Sequence, residues 1–279
     1  MKVCVFRYEH PRSKRMADAL EAGVMHMGWE LVATAQPEMA KKCGADMLMA
    51  YGWVNRPLFD YYRSAGRSFL YLDLGYWTRK VSAGDYSGFH KAVVNARHAT
   101  AYFKRGRPLD RMEDAPIIQP GHFGCDHIVV AGLSGKSAES FGFRPMEWEQ
   151  QTVEAIRELC DRPIVYRPKP SWRDARAIAG TRFSSSNETI GKALAGAYGL
   201  VTLQSNAAID ALAAGIPHYA EQGLASVVGC RSLEELVKNP RQYHDREQFL
   251  ADVGYCHWRR SEMEDGSMFR QFLIDGFLA

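Results

Sequence analysis

Short apolar runs alternate along this chain with longer stretches in which apolar residues recur every three or four positions, the pattern of buried strands alternating with amphipathic helices. Residues 3–8, VCVFRY, predict a first strand, and Ser13 caps a following helix whose apolar face is Met16, Leu20, Val24 and Met27. Residues 30–35 and 46–51 predict the next two strands; an aromatic helix lies between Asn55 and Gly66, and residues 68–74 form a fourth strand. That order implies a parallel, right-handed, doubly wound sheet. The loop after the first strand, Glu9-His10-Pro11-Arg12, lacks the G-x-G-x-x-G turn of a dinucleotide site, which argues against NAD or FAD here.

Periodicity lapses over residues 78–124, where 93–103 reads as one strand or two short ones. PIIQPGHFG, residues 116–124, is the candidate linker. A second alternation then begins with a strand over 126–131 and a helix over 147–160 that turns Trp148, Val153, Ile156 and Leu159 inward. A strand over 163–166 and a helical stretch over 187–197 follow. Leu200 to Leu203 is a buried parallel strand broken by Gln204-Ser205-Asn206; Ser205 or Asn206 caps a helix over 207–214, and Gly215 ends it. Another strand starts beyond Pro217. The tail reads as helical over 232–237 and 242–254, with a last helix from Ser261 onward. The fold class is therefore α/β, with two Rossmann-like domains over 1–120 and 121–256 and a terminal helical segment over 257–279.

Composition sharpens this only in part. With 279 residues, 46% of them hydrophobic, the chain can bury one large core or two modest ones. No apolar run reaches the roughly 18 residues of a spanning helix, and the first eight residues lack a signal peptide's plan, so a soluble cytoplasmic protein is expected. The six cysteines, Cys4, Cys43, Cys125, Cys160, Cys230 and Cys256, are scattered without metal-ligand spacing and read as reduced thiols. The net charge of +3 is unevenly spread: residues 1–120 carry 18 Lys/Arg against 12 Asp/Glu. Arg79, Lys80, Lys91, Arg97, Lys104 and Arg105 lie among Tyr86, Phe89, Tyr102 and Phe103, a mixture that suits a polyanion with flat bases. A solvated surface over buried rings has the same composition.

Candidate chemistry gathers at predicted strand ends, where open α/β sheets place it. Asp73, between leucines at the end of the fourth strand, is the first candidate for a general base, with His10 and His98 in reserve; as a structural residue it would instead cap the next turn. Gly135-Lys136-Ser137 invites a P-loop reading, but the first glycine of that motif should stand at 130, where there is Val130. A shorter turn from Ser134, Gly135 and Lys136 still offers N–H groups and a cation to a diphosphate. Arg167 and Lys169 end another strand, and helix 207–214 opens with Ser205 and Asn206 beyond a strand end, the chemistry of phosphate binding. No D-x-D triplet occurs, so no metal clamp is expected.

The run S-N-A-A-I-D-A-L-A-A-G-I-P-H, Arg167-Pro168-Lys169-Pro170, and the stretch from His257 to Gly266 together resemble the donor-binding half of glycosyltransferases of the GT-B architecture. Arg167-Pro168-Lys169-Pro170 is similar to the R-P-H-P turn of bacterial surface-polysaccharide members, with Lys169 in place of the histidine. The resemblance implies a nucleotide-sugar donor, such as a UDP-sugar, bound by Ser134, Gly135, Lys136, Arg167, Lys169, Ser205 and Asn206, with Glu221 gripping the ribose. It also implies a terminal helix, anchored by Trp258 and Phe269, that crosses back to the first domain; with no D-x-D triplet the transfer is expected to need neither metal nor cofactor, and inversion is the expected outcome although retaining enzymes share this architecture. The compact size and basic first half resemble viral enzymes that glycosylate hydroxymethylated pyrimidines in DNA, making DNA one acceptor; a surface polysaccharide is the other. A P-loop-like kinase for a nucleotide or modified base and a non-catalytic nucleotide- or DNA-binding module are the alternatives.

Overall fold

In the computed structural model, which describes residues 1–82, 85, 87–121, 126–185 and 187–278, the chain divides into two compact units. Tyr86, Cys125 and linker residues 122–124 lie outside the described residues, as does the side chain of Tyr102. One unit comprises Met1–Ala115 with Gln248–Ala279, the other Pro116–Glu247.

The first unit begins β1 (Lys2–Phe6), α1 (Pro11–His26), β2 (Glu30–Thr34), α2 (Pro37–Lys42), β3 (Met47–Tyr51), α3 (Arg56–Ser64), β4 (Ser68–Leu74) and β5 (His90–Val94). The second contains β6 (His127–Ala131), α4 (Gly135–Ser140), α5 (Glu147–Leu159), β7 (Ile164–Arg167), β8 (Arg182–Phe183), α6 (Ile190–Leu194), β9 (Ala197–Thr202), α7 (Ala207–Ala213), β10 (His218–Ala220) and α8 (Leu233–Lys238). Helix α9 (Arg246–Gly254) leads back to the first unit, followed by β11 (His257–Trp258), α10 (Arg260–Glu264) and α11 (Ser267–Ile274).

The first sheet has the order β11-β5-β4-β3-β1-β2. Strands β1 to β4 are parallel, as the alternation requires, but β5 pairs antiparallel with β4 and β11 antiparallel with β5. The expected strand within 93–103 therefore lies earlier: β5 ends at Val94, and Ala99–Tyr102 is a 3₁₀ turn. Its HKAVV sequence is too short to announce a direction, which is set by the loop from β4. Both faces are covered. Val3, Val5, Leu70 and Leu72 meet Met16, Leu20 and Val24 of α1 and Met263, Phe269 and Phe272 of the returning tail. Cys4, Leu48, Phe69 and Tyr71 meet Leu58, Phe59 and Tyr62 of α3 on the other. Gly23 makes this closeness possible: a Cβ there would sit 1.9 Å from the Met263 carbonyl oxygen.

Trp258 and Phe269 are both buried, Trp258 from a strand rather than from the terminal helix. The last helix is divided in two by Gly266, whose φ of 75° breaks the α conformation. The return begins at α9, whose Asp252 accepts from the Arg107 N–H at 2.8 Å. Arg107 and Lys104 hold Asp275, and Arg111 forms an ion pair with Glu262.

The second sheet, β10-β9-β6-β7-β8, is parallel throughout, so all five strands end at one edge. Its core is built from Ile128, Val130, Val201 and Ile164 against Trp148, Val153 and Ile156 of α5 and Leu236 of α8.

Candidate active site

Strands β1, β3 and β4 end, and antiparallel β5 begins, at one edge of the first sheet. Asp73 stands there, opposite Lys91 in register. Tyr71, two residues earlier and so on the same face, donates its hydroxyl to Asp73 Oδ2 at 2.5 Å, and the Leu74 N–H donates to Oδ1 at 2.8 Å. Burial and the nearby Asp73 push the Tyr71 phenol well above its ordinary pKa, so it remains a donor. Arg97 adds a cation on this face: burial lowers its pKa, while Tyr71 and Asp73 act to restore it, and its guanidinium lies 5.3 Å from the centre of the Trp53 ring. The carboxylate plane is thus fixed by two donors within a cationic surround, an arrangement able to receive a proton from a hydroxyl.

His10 is exposed at the same edge and caps α1, its Nδ1 accepting from the Arg12 N–H at 3.2 Å. His98 is elsewhere along the sheet: it follows the far end of β5, whose Val94 pairs with Leu70. Sequence reasoning missed His90, which opens β5 opposite Leu74. It is fully buried, its ring centre 6.0 Å from that of Tyr51. Burial above all, with Arg12 and Arg15 adding to it, holds its pKa down to about 4 against the opposing pull of the Gly88 carbonyl and Asp73, leaving a neutral imidazole at pH 7.

In the second unit the β6, β7, β9 and β10 ends bring all eight proposed donor residues to one edge, since Ala131 pairs with Arg167 and Thr202, and Thr202 with Ala220. Gly132-Leu133-Ser134 is a short loop, and Ser134 caps α4, accepting from the Ser137 N–H at 3.4 Å. Val130 is a buried strand residue, so no glycine-lined P-loop precedes Lys136, which is exposed. Thr202 Oγ1 donates to the Ala131 carbonyl and accepts from the Ser205 N–H, tying the β6 and β9 ends together; Ser205 Oγ accepts from the Ala207 N–H. Asn206 occupies the cap position of α7 in an αR conformation, its side chain not capping. Arg167 is half-buried: one Nη donates to the Glu188 carbonyl at 2.9 Å, while its buried Nε has no partner among the described residues. Burial lowers its pKa, with Glu188 and Asp210 opposing the shift. Lys169 is exposed beyond it.

The first turn of α5 braces this edge at two points. Trp148 Nε1 donates to Glu221 Oε1 at 2.7 Å, orienting an exposed carboxylate just past β10. Glu149, fully buried, accepts the Leu133 N–H on Oε1 at 2.6 Å, and its Oε2 lacks a partner among the described residues. Burial raises the Glu149 pKa above the ordinary carboxylate value. Neither residue announces this role in the sequence, where both read as one end of an amphipathic helix.

The basic set disperses. Arg79, Lys80 and Arg105 are exposed, whereas the Lys91 ammonium lies 5.0 Å from the centre of the Tyr71 ring, the Arg97 guanidinium 5.3 Å from that of Trp53, and Lys104 donates to Asp275. Among the described residues no group of His, Cys, Asp and Glu is placed to hold a metal ion, and no helix is long and apolar enough to cross a membrane.

Two Rossmann-like α/β units joined by a returning C-terminal segment define the GT-B class of fold. Two solved structures share it over most of this chain. One is Thermosulfurimonas dismutans KpsC, beta Kdo 2,4 transferase, with TM-score 0.55 and 13% identity over 90% of each chain. The other is the beta Kdo 2,7 transferase of the same KpsC, with TM-score 0.54 and 11% identity over 97% of this chain and 100% of that one. At such identities the likeness is one of fold. No model of a known protein family matches the sequence, and no curated protein matches it.

Proposed function

We propose that this protein is a glycosyltransferase that moves a sugar from a nucleotide-sugar to an acceptor hydroxyl. The observation that carries the reading is the convergence of Ser134, Lys136, Arg167, Lys169, Ser205, Asn206 and Glu221 at one edge of a parallel sheet, in a fold shared with two sugar transferases. Backbone amides and cations at that edge suit a departing diphosphate, whose developing charge needs stabilising when no metal supplies it. Glu221, oriented by Trp148, suits the ribose hydroxyls of the donor. In the first unit Asp73 takes the acceptor proton as the oxygen attacks the anomeric carbon; the sugar–phosphate bond breaks, and the nucleotide leaves with inversion.

A sugar hydroxyl of a surface polysaccharide is the acceptor we favour over DNA. Lys91, Arg97 and Lys104, three cations of the basic set, are engaged within their own unit. The solved structures of the same fold are Kdo transferases.

A thermal-shift screen of nucleoside mono- and diphosphates and their sugars tests the donor side, since a ligand at about 100 times its Kd stabilises by ~2.7 kcal/mol. At least one is expected to raise Tm, with the rise lost in Arg167→Gln, and to support transfer to an oligosaccharide. A screen in which no nucleotide shifts the protein would sink the proposal.

A further inference from the structure

The positive end of a helix favours acidic side chains, and α5 and α8 follow that rule with Glu147 and Glu149, and with Glu234 and Glu235. Helix α1 reverses it. Sixteen residues long, it has no acid in its first turn, and the residues there read His10-Pro11-Arg12-Ser13-Lys14-Arg15. Glu9 stands ahead of the cap and is exposed. Cations gathered at a helix N-terminus repel both the dipole and one another, an arrangement that becomes favourable when an anion sits among them.

A second observation points the same way. Ser13, in that first turn, is 1% exposed, and its hydroxyl has no partner among the described residues. His90 is 0% exposed, and neither ring nitrogen has a well-formed hydrogen bond among those residues. Both belong to one locality: Arg12 Nη1 donates to the Tyr51 hydroxyl at 3.3 Å, Tyr51 meets the His90 ring, and Arg12 and Arg15 are the cations His90 feels. The place is the carboxyl edge of the first sheet, where His90 pairs with Leu74 beside Asp73.

We infer that the first turn of α1, with Arg12, Ser13 and Arg15 and with the His90 ring that Tyr51 links to Arg12, is a binding site for an anionic group, a carboxylate or a phosphate. The Arg12 and Lys14 N–H groups are already used by the His10 side chain and carbonyl, so side chains do most of the reading. Two guanidiniums match a planar or tetrahedral oxyanion, a hydroxyl adds a donor, and a neutral imidazole can supply one more. That the anion belongs to the acceptor, held by its charge while a hydroxyl faces Asp73, rests on the glycosyl-transfer reading; the anion site itself does not.

The test is thermal shift of the full chain with glucuronate, inorganic phosphate and neutral glucose at constant ionic strength, in wild type, Arg12→Gln/Arg15→Gln and Arg167→Gln. Wild type and Arg167→Gln should be stabilised by glucuronate or phosphate and not by glucose, and the double variant should lose that shift while its own Tm does not fall. Exposed Arg15→Gln alone serves if the double variant does not fold, and should diminish the shift. Stabilisation by glucuronate alone assigns an acidic sugar, by phosphate alone a phosphorylated acceptor, and by both the shared oxyanion chemistry. An undiminished shift in the variants lacking these arginines, or none in wild type at up to about 100 mM of either anion, overturns the inference. Failure of sugar transfer with the anion shift intact would count against the proposed function and leave this site standing.

Discussion

Replacing Asp73 by Asn separates catalysis from architecture at the first-unit edge. The asparagine keeps one oxygen, enough to accept from the Leu74 N–H, but presents an amide nitrogen where Asp73 Oδ2 accepts from Tyr71. A hydrogen bond to a charged group contributes about 1.5–3 kcal/mol, and the Tyr71 hydroxyl can turn to accept from the amide, so the net stability loss should be about 1–2 kcal/mol. That corresponds to a Tm lower by only a few degrees. Loss of a general base costs about 10²- to 10⁴-fold in rate, or ~2.7–5.5 kcal/mol in the barrier. Steady-state kinetics with the donor found by the nucleotide screen should show this fall in kcat with the donor KM unchanged, because the proposed donor residues lie in the other unit. Tyr71→Phe, which removes only the orienting bond, should lose about tenfold by the same logic of imperfect positioning. A kcat for Asp73→Asn within about threefold of wild type would refute the assignment, since no carboxylate is then needed to take the proton.

Trp148→Phe frees Glu221 while preserving most of the buried ring; nucleotide titration should show about tenfold weaker binding, consistent with a charge-assisted bond worth ~1.5–3 kcal/mol. The raised pKa of Glu149 means that the folded protein binds its proton more tightly than the unfolded chain, so stability falls as pH rises through and above the ordinary carboxylate range. Glu149→Gln should remove that slope in denaturant titrations at a series of pH values. His90 has the opposite linkage: with its pKa lowered from 6.5 to about 4, stability of up to ~3 kcal/mol is present above pH 6.5 and lost as pH falls toward 4, and His90→Gln should flatten the curve. Phe269→Ala, at a fully buried position, should cost about 3–5 kcal/mol in equilibrium unfolding.

Much of this organisation is legible in the residues. Strand β4 falls at Ser68–Leu74 as its apolar run predicts, and α5 at Glu147–Leu159 follows its inward-facing tryptophan, valine and isoleucine. The second-sheet edge was also readable, because local signals do the work there: a strand end, a small polar cap, a proline-flanked basic pair. What escaped depends on partners distant in the chain. The Trp148–Glu221 bond spans 73 residues, and nothing near either residue marks it. β11 is only His257–Trp258, a strand by virtue of pairing with β5 rather than by propensity. His90 stayed hidden because its neighbours determine its environment: the ring is fully buried and meets Tyr51, almost forty positions earlier in the chain.

Because Gln248–Ala279 complete the unit that opens the chain, a ribosome making this protein releases the inserted unit before the surrounding one has all its parts. Until Met263, Phe269 and Phe272 emerge, the apolar side of α1 waits without its cover. The inserted unit, Pro116–Glu247, can meanwhile close on its own contiguous sequence. Removing residues 248–279 would therefore disable the unit built on residues 1–115 before the one built on 116–247, and chaperone dependence during synthesis should follow the former.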